Sequence, residues 1–152
     1  MKIAIGSDHA GYELKVLVGE ALTDWGHEVL DLGAKDATTS VDYPDFGAAV
    51  GSAVASKQVD LGVAVCGSGI GISIAANKVP GVRAALVHDV TSAHLAREHN
   101  HANVLCFGSR LIGSVVAVEA LRAWLDATPG EGRHLQRIDK LSALDSVASE
   151  GK

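Results

Sequence analysis

Leu61-Gly62-Val63-Ala64-Val65-Cys66-Gly67-Ser68-Gly69-Ile70-Gly71-Ile72-Ser73-Ile74-Ala75-Ala76-Asn77-Lys78 is the stretch that decides the fold. It opens with a short continuous apolar run of β type, turns through a glycine-rich loop, and resumes as a helix over residues 72–78. A strand that is apolar throughout and leads straight into a helix is the first half of a βαβ unit in a parallel sheet. The arrangement puts the Cys66 thiol at the strand tip, beside several glycine amides at a helix N-terminus. Without Cβ atoms those N–H groups can converge on an anion. The positive end of a helix also favours a thiolate over a thiol. A nucleophile or base beside an anion cradle predicts an enzyme.

The alternation continues on both sides. Ile3-Ala4-Ile5 reads as strand one, and Leu14, Leu17, Val18, Ala21, Leu22 and Trp25 follow at helical spacing, with Gly26 as the stop. Glu28 to Leu32 is a second strand. Residues 33–45 are polar and turn-forming, with Tyr43-Pro44-Asp45 ahead of a helix over Phe46 to Ser56. Leu61 to Val65 is strand three. Val82 to Val87 is strand four, followed by a helix through Ala93, Leu95 and Ala96. Val104 to Phe107 is strand five, and Ile112 to Leu125 a long helix. Such alternation predicts an α/β fold with a five-stranded parallel sheet, doubly wound in the order 2-1-3-4-5. Ligands of such sheets sit beyond the strand C-termini, so the loops after strands one, three, four and five should form the site.

After the hinge Thr128-Pro129-Gly130-Glu131-Gly132, the segment Arg133 to Val147 carries Leu135, Ile138, Leu141 and Leu144 every three residues. This helix, over about residues 133–147, packs either on its own core or on a partner chain.

Composition narrows the functional classes. The chain has 152 residues, 47% of them hydrophobic and 20% charged, which is globular composition and most simply one domain over residues 1–152. No apolar stretch approaches the ~20 residues of a membrane span. Met1 to Gly6 runs straight into a strand pattern, so no signal peptide is expected. The net charge of −5 argues against nucleic acid as a partner. Cys66 and Cys106 each follow an apolar run, with neither zinc nor disulfide spacing, which fits a reduced, cytoplasmic setting. Cys106 lies inside its strand and reads as a small core hydrophobe.

Other polar groups cluster where chemistry is expected. Asp8 and His9, in Gly6-Ser7-Asp8-His9-Ala10-Gly11, can contact hydroxyls or a phosphate, or simply cap a helix. The glycine loop is not a dinucleotide fingerprint: Gly67-x-Gly69-x-x-Ile72 lacks the third glycine and follows strand three rather than strand one. His99, in Glu98-His99-Asn100-His101, reads as lying near the strand tips and able to move protons. Two histidines at i and i+2 diverge on a helix, which disfavours a metal pair and leaves His101 exposed. Asn100 suits a sugar hydroxyl. Arg110 follows strand five, and Arg133 and Arg137 lie four apart beside His134, so three guanidiniums are available to grip phosphate.

Taken in order, Asp8-His9-Ala10-Gly11, the run from Cys66 to Lys78, Glu98-His99-Asn100, Gly108-Ser109-Arg110 and Gly132-Arg133-His134-x-x-Arg137 closely resemble type B ribose-5-phosphate isomerase. That family also holds the galactose-6-phosphate isomerase subunits. The resemblance covers residues 1 to about 145. It implies a Rossmann-like α/β/α homodimer, sometimes a tetramer, with active sites built from both subunits, and hence a C-terminal helix packed on the partner. Carried over by position, Cys66 resembles the base that moves a proton between C1 and C2 of the open-chain sugar. Ser68, where many members have Thr, would shuttle protons between O1 and O2. The amides of Gly67, Ser68, Gly69, Ile70 and Gly71 would stabilise an enediolate, and His99 would open the furanose ring. Asp8 and Asn100 would hold sugar hydroxyls; His9, Arg110, Arg133 and Arg137 would hold the phosphate, with His134 assisting. A branch of the family replaces the Cys with a Glu at the position of Ile72. Ile72 is apolar here, so the thiol mechanism is the one implied, with neither metal nor cofactor.

The expectation is therefore a cytoplasmic, metal-independent isomerase of ribose 5-phosphate and ribulose 5-phosphate. The alternatives are an isomerase of a six-carbon aldose 6-phosphate or a tetrulose phosphate, and a non-catalytic phosphosugar-binding module.

Overall fold

A computed structural model of the chain describes residues 1–149. The elements are β1 (Lys2–Ser7), α1 (Tyr12–Asp24), β2 (Glu28–Asp31), α2 (Tyr43–Ala55), β3 (Leu61–Cys66) and α3 (Ile70–Asn77), then β4 (Ala84–Leu86), α4 (Val90–Asn100), β5 (Val104–Gly108), α5 (Ser114–Asp126) and α6 (Arg133–Ser149). All strand pairings are parallel. The α/β class, the parallel sheet and nearly every predicted element are present. Among the described residues, no helix is long and apolar enough to cross a membrane.

The strand order is β2-β1-β3-β5-β4, which corrects the expected 2-1-3-4-5. The reason is burial. Every residue of β5 is buried, as a central strand of a parallel sheet requires, whereas the three residues of β4 are only half-buried. β4 is the better edge strand, so the chain crosses past β5's position and returns. The return step places α4 on the same face as α1 and α5. There Ile3, Ile5, Val63, Val65, Leu105 and Phe107 meet Val18, Leu22, Leu121 and Trp124. The opposite face packs Ala4, Ala64, Cys66, Val104 and Cys106 against Val50, Val54, Ile72 and Ala76 of α2 and α3. Two crossovers of opposite direction thus give a sheet covered on both sides.

β4 is also shorter than the predicted Val82 to Val87. Arg83 O and Val87 N–H bond inward to β5, so the alternation turns the Ala84 amide and carbonyl outward. Both are closed by one side chain: the Ala84 N–H donates to Asn77 Oδ1 at 2.8 Å, and Asn77 Nδ2 donates to Ala84 O at 2.9 Å. Part of the sheet edge is thereby removed from pairing with another strand.

α6 lies across the end of its own α4 rather than detached from it. Ile138 is buried, and Asp145 accepts a hydrogen bond from the Gly81 amide at 2.8 Å. Leu135, Leu141 and Leu144 remain exposed, so only part of the predicted stripe is covered. The last three residues of the expected 1–152 domain lie outside the described residues.

Candidate active site

Adjacent strand tips build the first part of the site. Cys66 ends β3 and is register partner to Gly108 of β5, while Ser7 at the end of β1 pairs with Val65. The loops after β1, β3 and β5 therefore converge, and the loop after β4 is displaced to the sheet edge. The Ser109 N–H donates to Cys66 O at 2.9 Å and the Arg110 N–H to Gly67 O at 3.0 Å. Ser109 Oγ donates across to Ala10 O at 2.8 Å. The Arg110 guanidinium lies over Gly67, with Nη1 3.1 Å from where a Cβ would sit.

The glycine loop does what its composition predicts. Gly69 has φ +74°, a left-handed conformation, and a Cβ there would stand 2.7 Å from the Phe107 carbonyl carbon. Only glycine fits both demands. In that conformation the Gly69 N–H donates to Cys66 Sγ at 3.1 Å. The helix α3 begins one residue later, earlier than expected, so the thiol faces its positive end. Ser68 Oγ accepts from the Ile70 N–H at 3.3 Å. The Tyr43 ring lies against Gly71, where a Cβ would come within 2.5 Å of it. Sequence reasoning missed Tyr43 as a wall of this loop, because α2 starts at Tyr43 rather than at Phe46.

Asp8 is nearly buried, and its Oδ1 accepts from the Gly11 N–H at 2.9 Å, the capping contact that its position allowed. His9 is pinned through Nδ1 to Val41, whose N–H and C=O lie 3.2 and 3.3 Å away. The loop from Gly33 to Val41 is held in turn by Lys15, a fully buried lysine that sequence reasoning also missed. Its ammonium bonds Asp31 Oδ1 and Oδ2 at 2.7 and 2.8 Å and Ala34 O at 2.7 Å. The available signal was a lysine directly beside Leu14 in an otherwise apolar helical face.

Cys106 is the core hydrophobe it was expected to be. Burial, with the nearby Cys66 second, pushes its thiol far above the usual range.

The remaining predicted residues are elsewhere, and the expectation that His99 lies near the strand tips is corrected. A crossover helix runs antiparallel to the strands it joins. α4 starts beyond the tip of β4 and ends just before β5 begins, so His99 and Asn100 sit at the opposite end of the strands from Cys66. The 11 residues of α4 span about 16 Å, beyond side-chain reach. His99 stacks on His134 with ring centroids 4.6 Å apart and planes 14° from parallel. Arg133 and Arg137 begin α6 at this end and are exposed. His101, expected to be exposed, is half-buried: it caps α4 at φ +47°, and its Nε2 lies 2.6 Å from Gly130 O in the hinge. The structure thus gathers Asp8, His9, Cys66, Ser68, Gly67 to Gly71 and Arg110 at one end, and His99, Asn100, Arg133, His134 and Arg137 at the other.

A doubly wound sheet whose strand tips join a thiol, converging loop amides and an arginine defines an α/β protein of the class that binds small anionic molecules at its strand tips. The sequence profile of the Ribose/Galactose Isomerase family matches residues 3–141, and the chain belongs to that family. It is 44% identical over 144 residues to ribose-5-phosphate isomerase B of Escherichia coli K12, covering 95% of this chain and 96% of that one. The structure of Clostridium thermocellum ribose-5-phosphate isomerase B superposes with a TM-score of 0.95 at 47% identity, covering 97% of this chain and 99% of that one. A ribose-5-phosphate isomerase B from Mycoplasma genitalium, solved with bound ribulose 5-phosphate, gives a TM-score of 0.91 at 41% identity over 95% of this chain and 96% of that one.

Proposed function

We propose that the chain is an aldose–ketose isomerase that interconverts D-ribose 5-phosphate and D-ribulose 5-phosphate, a step of the non-oxidative pentose phosphate pathway. The observation that carries this reading is the Cys66 thiol, in contact with the Gly69 amide and surrounded by the loop from Gly67 to Gly71. Cys66 takes the proton from C2 of the open-chain aldose and returns it to C1. The intermediate is a cis-enediolate, and the loop amides, including those of Ser68 and Ile70, stabilise its negative charge. Ser68 Oγ passes the proton between O1 and O2. Asp8 binds a sugar hydroxyl, and His9 and Arg110 bind the phosphate. These steps use the chain's own groups, with no metal or cofactor assigned a part.

The functional unit is a homodimer of one domain, residues 1–152, in the cytoplasm. The two separated groups of site residues support this. His99, Asn100, Arg133, His134 and Arg137 complete a partner's site only if two copies pack so that the strand-tip end of one sheet meets the strand-start end of the other. In that site His99 opens the furanose, Asn100 holds a hydroxyl, and Arg133 and Arg137 close on the phosphate with His134 beside them.

The test is isomerisation of ribose 5-phosphate in the presence of chelator. Turnover establishes the reaction. Turnover only with a six-carbon aldose 6-phosphate or a tetrulose phosphate reassigns the substrate, and binding of phosphosugars without turnover reduces the protein to a binding module.

A further inference from the structure

We propose that Glu98 is the positioning residue of the ring-opening step, an inference that rests on the isomerase reading and on the place of His99 within it. Neighbours on a helix ordinarily point apart. Here the His99 ring turns back, so that its Nε2 lies 3.9 Å from Glu98 Oε2, and the same oxygen lies 3.1 Å from His94 Nε2 one turn earlier. The Glu98 carboxylate therefore stands between two imidazoles. Its main chain reaches the third: Glu98 O accepts from the Gly130 N–H at 2.8 Å. Gly130 in turn abuts His134, whose Cδ2 is 2.9 Å from where a Gly130 Cβ would be. Glu98 thus approaches His99 through its side chain and, through its backbone bond to Gly130, borders His134. The stacked rings, 4.6 Å apart, lie between these two contacts.

The chemistry explains why such control matters. Opening the furanose breaks the C1–O4 bond. His99 gives a proton to O4, the anomeric hydroxyl loses its proton to water, and C1 becomes the aldehyde carbonyl; His99 then recovers a proton from water. A donor that must reach one ring oxygen needs an imidazole held in one orientation, and a carboxylate on one side with a stacked ring on the other restricts how the His99 ring can turn.

Ribulose 5-phosphate separates this step from the rest. Its O5 carries the phosphate and its O4 would close only a four-membered ring, so it is always open-chain. Deuterium uptake at C1 of ribulose 5-phosphate in heavy water needs the thiol and the enediolate cradle but no ring opening. In full-length Glu98→Gln, conversion of ribose 5-phosphate should fall about tenfold or more while this exchange stays within about twofold of wild type. Glu98→Asp should recover part of the loss, and His99→Asn should show the same split. An equal fall in both reactions, or no fall in either, overturns the role of Glu98. A split in His99→Asn without one in Glu98→Gln does the same. A wild-type protein inactive in both reactions would overturn the isomerase reading itself.

Discussion

The amide of Gly69 donates a hydrogen bond to the sulfur of Cys66 at 3.1 Å, joining the proposed base to the loop proposed to hold its product charge. Both groups sit where β3 ends and α3 begins. A base and an oxyanion device sharing one turn can act on the two halves of a single proton transfer.

Cys66→Ala should therefore lose most turnover, by a factor of about 10² to 10⁴, the usual worth of a positioned general base. Substrate binding should survive, because the arginines and loop amides remain. Steady-state kinetics with a separate binding titration checks this. Unchanged kcat would remove Cys66 from the role of base.

Gly69→Ala should cost stability as well as activity. An L-residue at φ +74° costs about 1–2 kcal/mol, and its Cβ would meet Phe107 C at 2.7 Å and Gly108 N at 2.8 Å, all backbone. The thermal midpoint should drop by about 5 °C or more. A midpoint equal to wild type would show that this turn relaxes without strain.

The parts of the molecule legible in sequence are those fixed by local chemistry. An apolar run ending in Cys66, a glycine at Gly69 and a helix pattern behind it specify strand, turn and helix without reference to anything distant. Strand order is not local. Whether β4 or β5 sits beside β3 depends on which one can be buried on both faces, and Val82 to Val87 is apolar enough to mislead. The location of His99 is topological for the same reason. Its nearness to strand five is plain in the sequence, but which end of that strand it meets follows from the direction of α4. Lys15 carries little local sign of its role, and Glu98 stands in the sequence only as part of the motif around His99, because each bonds a segment far along the chain, Ala34 for one and Gly130 for the other.

The Lys15 cluster yields a prediction about the loop that pins His9. Asp31→Ala leaves a buried ammonium with Ala34 O and the Tyr12 ring, 5.1 Å from Nζ to its centroid. Stability should fall by about 1–3 kcal/mol, below the full cost for a buried pair because Asp31 is half-exposed. The double variant Lys15→Met/Asp31→Ala should be more stable than Asp31→Ala alone, since no charge is then stranded. Urea denaturation of the two variants decides, and a double variant weaker than the single would contradict this account.

Asp36 provides a pH test of the same loop. The Thr39 N–H, the Thr38 hydroxyl and the Thr38 N–H, at 2.6, 2.8 and 2.8 Å, hold its carboxyl down to about 2 from 3.8. A lowered folded value means that the loop is supported above the ordinary pKa and loses that support as pH falls toward 2. An NMR titration should place the Asp36 midpoint near 2, and Thr38→Val should move it upward. A midpoint near 3.8 in the wild type would mean that the turn does not persist in solution.

The separation of the two residue groups leads to the sharpest prediction. Cys66→Ala spoils one group, and Arg133→Ala/Arg137→Ala spoils the other, each nearly abolishing activity at low substrate when assembled alone. The arginine variant should act through KM, because its residues are proposed to bind phosphate without touching the reacting carbons. If each site takes one group from each of two copies, a mixed dimer holds one site with both defects and one site with neither. Random mixing after co-expression should then restore about a quarter of wild-type activity per chain, since about half the dimers are mixed and each has one intact site. Differently tagged chains purified through both tags should reach about half. No recovery in the doubly purified mixture would mean that the two groups never meet, and the residues of α4 and α6 would have to be removed from the active site.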